Sequence, residues 1–311
     1  MAKNFLRIAI VVIFCGVAFQ YWPVTIHLRS ASSAEIVSIR MPSKDKRRLE
    51  FFFREVCFLN VWAYTLMGSK PMSIDQYTRP WNAFRNSVSS ADFKDIFLEC
   101  FWPPNLRKMR YHLSPKELKM KLGWETLNKY SEYFPDSRFF LYTNQRNDQE
   151  IVDLILVDKK KVAAVVKGHF EDFRQVLKNL EMTPEDLLYK ENMRVFLKSL
   201  QHNGLFGTIL GFGRENAWQF FRYQEIDPKE RPMVSAWPEE EIVNLEQLNK
   251  RIQSFQTWEV TDLFYPRFAC DPQSEETKKV KQIYREEREK ILKYYEGKDL
   301  VEATLNLFSQ T

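Results

Sequence analysis

Four of the nine glycines fall within one decade of sequence, Gly204, Gly207, Gly211 and Gly213, in the stretch HNGLFGTILGFGRENAWQFF. Gly211-Phe212-Gly213 stands directly before Arg214 and a new apolar-periodic run. A glycine turn that opens a helix can aim free backbone N–H groups at an anion, and the helix dipole adds to the attraction. His202, Arg214, Glu215 and Asn216 flank the turn and complete the candidate ligand-binding group with Gly211 and Gly213. The pattern departs from the dinucleotide fingerprint, which needs a third glycine where Asn216 stands and a strand where helical spacing precedes the turn. No Walker lysine follows it. The competing reading is structural: glycines let two helices approach closely and turn sharply, and each flanking polar residue serves as a cap or a surface ion pair.

A second compact feature is Gly68-Ser69-Lys70-Pro71-Met72-Ser73. Proline pushes Lys70 toward extended geometry. The segment reads as a structural turn, or as a lysine presented to an anionic partner. Elsewhere the chemistry-bearing residues are scattered. His27, His112 and His169 are isolated, there is no HExxH and no GxSxG, and Glu239 to Glu241 read as a solvated helix start. The cysteines Cys15, Cys57, Cys100 and Cys270 have no zinc-ligand spacing. A Cys57–Cys100 disulfide and buried free thiols both remain open. No acid, base and nucleophile assemble at recognisable spacing. We therefore assign no catalytic residue, no metal and no cofactor, and the balance leans against an enzyme.

These residues must be positioned by an ordinary globular body. The chain has 311 residues, 44% of them hydrophobic and 28% charged, with 25 phenylalanines filling a core. A net charge of +5 concerns solubility and gives no reason to expect nucleic acid. The one dense basic run, Lys44, Lys46, Arg47 and Arg48, is a solvated linker or helix start, or else a patch for anionic lipid.

Lys3 and Arg7 precede an apolar run from Ile8 to Phe19, the pattern of an export signal. A bilayer span needs about 20 residues. The wider stretch 5–26 reaches that length if Arg7 snorkels and Tyr21 and Trp22 sit at the interface. We expect residues 1–34 to be a signal-anchor or cleaved signal with its linker. Residues 35–311 then form one domain, with two lobes dividing near 135. The chain is expected to be single-pass, most of it exported, with membrane contact through residues 5–26; secretion after cleavage is the alternative.

The body reads as α+β and predominantly helical, with a small β-hairpin or sheet near the middle. Helices are expected over 47–64, from Pro115 to about Tyr133 behind Ser114, over 160–180 with a break at Gly168, and from Thr183-Pro184 until Gly204 stops the run. Others follow over 245–255, 275–295 and around Leu300 to Phe308. Strands are expected at 138–142 and 150–157, joined by the polar turn 144–147, and 258–268 reads as extended. Residues 74–102 read as loop and short helix.

The stretches YTLMGSKPMS, FGTILGFGRENA and YREEREKILKYYEGKDLVEATL resemble segments of uncharacterised proteins of chlamydiae and related environmental bacteria. That resemblance implies an envelope or host-interaction setting and transfers no catalytic residues. Two functions compete. The first is an envelope interaction or scaffolding protein, with a protein partner and an exposed apolar patch. The second is a small-ligand binder or enzyme built on residues 204–216.

Overall fold

The computed structural model describes residues 23–29, 36–78, 115–134, 137–145, 151–178, 182–225, 233–237 and 263–310. They fall into two compact units, one within 1–52, 76–135 and 144–153, the other within 53–75, 136–143 and 154–311. Helices dominate and the sheets are small and antiparallel, so the α+β expectation holds at that level.

In the first unit, β1 (Pro23–Arg29) pairs antiparallel with β2 (Ile36–Pro42), Ile26 facing Ile39. Ile26, Leu28, Ile39 and Met41 are buried, while Thr25, His27, Ser38 and Arg40 are exposed. This is the two-residue alternation of a half-covered sheet. The chain then enters α1 (Ser43–Phe53). Asp45 in its first turn accepts hydrogen bonds from Lys129 Nζ and Tyr130 Oη of α3 (Pro115–Tyr130), both at 2.9 Å. The Lys44–Arg48 run thus lies within the first two turns of a helix, with Lys44 and Asp45 buried, and the linker reading is dropped. A Cβ on Gly123 of α3 would overlap the Phe52 side chain and crowd the Arg48 carbonyl. The missing side chain is what lets the two helices meet.

Three expectations are corrected here. Residues 5–22 of the expected membrane segment lie outside the described residues, but 23–26 are the start of β1. Pro23 opens a strand whose backbone groups bond across to β2, so the apolar run cannot continue helically to Ile26. Among the described residues no helix is long and apolar enough to cross a membrane. The transmembrane segment, membrane contact through 5–26 and single-pass placement are therefore withdrawn. Ser114, Cys15, Cys100, His112, residues 239–241 and the helix over 245–255 also lie outside the described residues.

In the second unit α1 passes into a π-helical turn, Arg54–Leu59. Phe53, Val56, Cys57 and Phe58 are all buried there. Such a run crowds more than one face of a regular helix, and the wider π turn accommodates it. The single helix expected over 47–64 is then cut at Val61, whose φ is 63°, before α2 (Trp62–Met67). After residues 68–71 comes β3 (Met72–Thr78), where loop and helix were expected. It joins β5 (Ile151–Asp158) and β4 (Phe139–Gln145) in the order β3-β5-β4. Asp158 N–H donates to the Pro71 carbonyl and Lys159 N–H to that of Arg138, which sets an antiparallel register on both sides. Residues 152–158 are buried without interruption. The central strand is thus covered on both faces, the reason its apolar run does not alternate.

Helices follow: α4 (Lys159–Gly168), α5 (Phe170–Val176), α6 (Lys190–Ser199), α7 (Asn203–Ile209) and α8 (Arg214–Glu225). Thr183 and Asp186 form a reciprocal capping box on the 3-10 turn Pro184–Leu188, as the sequence signals. Gly204 lies inside α7 and does not stop a helix; α6 has already ended at Ser199. Val157, Val162, Phe173, Met193, Phe196, Leu205 and Ile209 share one core. The unit is completed by a two-residue antiparallel pair (β6, Val234–Ser235; β7, Ala269–Cys270) and the helices α9 (Glu275–Tyr295) and α10 (Leu300–Phe308). Cys57 and Cys270 are buried free thiols, which leaves the disulfide reading without support at Cys57.

Gly123→Ala should destabilise the chain by roughly 1–3 kcal/mol through overpacking against Phe52, read as a lower urea midpoint. Gly168→Ala, with nothing within 4 Å of the added methyl, should leave the midpoint unchanged or raise it.

Candidate functional site

Everything in this site belongs to the second unit. Its centre is Lys70, only 2% exposed. Pro71 follows it, and the lysine side chain runs to the turn between α7 and α8. There its Nζ donates to the Leu210 carbonyl and lies 4.8 Å from the centre of the Phe212 ring. Among the described residues no carboxylate pairs with it. Burial alone drives its pKa down to about 7, because removing water disfavours the ammonium and nothing opposite in charge compensates. The two short segments singled out in the sequence, 68–73 and 204–216, therefore meet at one place.

Backbone geometry makes the meeting close. Gly211 has φ +80° and Gly213 φ +88°, a region that L side chains rarely adopt. A Cβ on Gly211 would also stand 2.8 Å from Tyr284 Oη and 3.0 Å from Pro71 Cδ. Tyr284 Oη instead donates to the Gly211 carbonyl at 2.6 Å. Lys70 and Tyr284 thus bond to consecutive carbonyls of one turn. Alongside, Ser69 N–H donates to Glu287 Oε1 at 2.6 Å. Glu287 Oε2 is buried without a hydrogen-bond partner among the described residues, and burial pushes this carboxyl above the usual range. Tyr64 Oη is likewise buried and without a hydrogen-bond partner among them, its ring 5.5 Å from that of Tyr284.

The end of α2, just before this segment, is satisfied by cations. Lys161 Nζ donates to the Thr65 carbonyl at 2.6 Å and Arg138 to that of Leu66 at 3.2 Å. These are the last carbonyls of a helix, where the dipole is negative. Asp158 pairs with both cations, at 3.1 Å to Lys161 and 3.3 Å to Arg138.

The six residues expected to bind a ligand are each already engaged. His202 caps α7 by accepting from Leu205 N–H at 3.3 Å, and its ring packs on Trp218 and Phe221. Arg214 pairs with Asp172 at 2.5 Å and stacks over Trp218. Glu215 accepts from Ser274 Oγ at 3.1 Å. Asn216, 1% exposed, donates to the Phe212 carbonyl and accepts from Thr277. The backbone N–H of Asn216, one of those available to an anion at the start of α8, donates to Glu276 Oε2 at 3.1 Å. A Cβ on Gly213 would collide with that same carboxylate. The place an anion would take holds a carboxylate of this chain. The glycine turn is therefore packed, and Lys70, read in the sequence mainly as part of a turn, is the unusual group. The signal for it was a lysine before proline in a glycine-bounded segment.

On the surface, the described residues expose six large hydrophobic side chains: Leu118, Tyr133, Leu188, Tyr189, Val195 and Val234. Three of them lie between residues 188 and 195. Helix α6 buries Met193 and Phe196, while Glu191, Arg194, Val195 and Lys198 share its exposed face. Val195 is 54% exposed and Tyr189 67%. Among the described residues neither Arg194 nor Lys198 forms an ion pair. No group of three or more metal-ligating side chains occurs among the described residues.

The buried lysine leaves a measurable trace. In the unfolded chain Lys70 keeps its proton to about pH 10.4, and in the folded chain only to about 7. Between those values the unfolded state binds more protons, so stability rises with pH by up to about 1.4 kcal/mol per unit. The penalty is fully present below pH 7. Lys70→Met should flatten urea midpoints measured from pH 6.5 to 9.5 and stabilise the chain most at the acidic end.

No family model, curated protein or solved structure matches this chain.

Proposed function

We propose that the protein is an interaction module that binds an acidic polypeptide on the segment 188–198. One observation carries the reading. An otherwise amphipathic helix places Val195 on its solvent face between Arg194 and Lys198, directly after exposed Leu188 and Tyr189. Protein interfaces favour this composition, with an aromatic and aliphatic centre and arginine at the edge. The segment 190–199 holds Lys190, Arg194 and Lys198 against a single acid, Glu191, so the complementary surface is acidic. The rigid core behind Met193 and Phe196 keeps the face in place at little ordering cost. A ligand-binding role for the glycine turn is less well supported, because its backbone donors and flanking side chains have partners within the chain.

A photo-crosslinker placed at Val195 in the full chain, in the cells that make it, should yield one discrete heterologous adduct. Reversing charge with Arg194→Glu and Lys198→Glu should abolish that adduct, while Lys278→Glu on α9 should leave it intact. Adducts that survive the charge reversal, or that join only copies of this chain, would overturn the proposal.

A further inference from the structure

We propose that Lys70 is a covalent capture site for a small aldehyde or ketone, held as an imine on Nζ where residues 68–71 cross the Gly211 turn. Three features of the geometry carry this. First, the amine is sealed from water yet among the described residues has no carboxylate to hold it as a permanent cation; its partners there are the Leu210 carbonyl and the face of Phe212. A lysine needed only for structure gains most from an ion pair, as Lys161 does with Asp158. Second, proton-carrying groups lie against both crossing segments. Tyr284 Oη bonds the Gly211 carbonyl, adjacent to the one Lys70 uses. Tyr64 Oη and Glu287 Oε2 are buried beside Tyr284 and Ser69 with no hydrogen-bond partner among the described residues, an arrangement that asks for a further polar atom. Third, a single side chain covers the amine. Phe212 is partly exposed, stands over the ammonium and is flanked by Gly211 and Gly213, both at positive φ.

The step balances without an oxidant or reductant. The Nζ lone pair forms a C–N bond to the carbonyl carbon while the C=O π pair moves to oxygen. Tyr284 donates its phenolic proton to that oxygen and recovers one from nitrogen, giving a carbinolamine. A second N–H proton, relayed the same way, leaves with the hydroxyl as water, and the nitrogen pair forms C=N. One molecule of water is released per imine. Burial that lowers the Lys70 pKa to about 7 keeps a large share of the amine neutral at neutral pH, while an exposed lysine is almost wholly protonated there.

The test uses the full chain with acetaldehyde and cyanoborohydride at pH 7, which fixes any imine as a stable secondary amine. Peptide mapping by mass spectrometry then follows each lysine over time. Lys70 should be labelled about tenfold or more faster than exposed Lys198, reflecting its larger neutral fraction. The preference should vanish in denaturing urea. Phe212→Ala, which opens the cover, should speed Lys70 further and leave Lys198 unchanged. Tyr284→Phe should slow Lys70 without moving the pH at which its labelling reaches a plateau, which separates proton transfer from packing. Labelling of Lys70 ahead of Lys198 in either the wild-type chain or Phe212→Ala supports the site. Labelling no faster than Lys198 in both would overturn it.

Discussion

Two pieces of backbone, residues 68–71 and the Gly211 turn, meet with no side chain on Gly211 to separate them, and the polar groups of this site are arranged around that contact. Gly68 leaves room for the Glu287 carboxylate, and Gly211 for Tyr284 and Pro71. Once the strands of chain are this close, water is excluded and every polar group must be answered locally. The Ser69 N–H is answered by Glu287, the Gly211 carbonyl by Tyr284 and the Leu210 carbonyl by Lys70. Beside the Glu287 carboxyl, whose Oε2 has no hydrogen-bond partner among the described residues, the lysine brings a charge that no carboxylate there meets. Its lowered pKa is the mark left by a backbone contact that fixes where the side chain must go.

The contrast with the neighbouring cluster is instructive. Lys161 and Arg138 are also drawn to carbonyls at a helix end, yet Asp158 sits between them. Burial still lowers the Lys161 pKa, but the carboxylate opposes the shift. The two lysines both donate to a backbone carbonyl and differ greatly in electrostatic fate. What separates them is one acidic residue, itself fixed by capping α4 through the Lys161 N–H.

Much of the local structure was legible in the sequence. Thr183-Pro184 announced a helical start, the apolar run 151–157 announced a strand, and the long charged helix ends at Tyr295 where expected. Signals of this kind rest on neighbours a few residues apart. The failures share a different cause. Residues 72–78 carry polar side chains at Ser73, Asp75 and Gln76, and become a strand because β5 supplies a partner. Gly204 continues a helix because its bare face packs near Trp218 and His202. Val61 breaks a helix in a left-handed conformation that its residue type disfavours. Pro23, taken as the tail of an apolar span, opens a strand paired with residues that follow it. The site divides the same way. The glycine turn was visible by composition, and its occupant, the Glu276 carboxylate, was not, being supplied from a helix some sixty residues onward. For Lys70, nothing near position 70 says that residue 210 will bury it.

That separation matters during synthesis. Ser69 bonds a carboxylate 218 positions later, and Lys70 a carbonyl 140 positions later. Contacts so distant along the chain form slowly, because a long loop must close before any of them is rewarded. While the ribosome is still making α9, the early segment that holds Phe53, Phe58, Trp62 and Tyr64 has not met the helices that cover it in the finished fold. Those aromatic side chains must wait, shielded by collapse or by a holdase. Closure of the second unit thus waits for α9, and this late helix, not the first, sets when it begins.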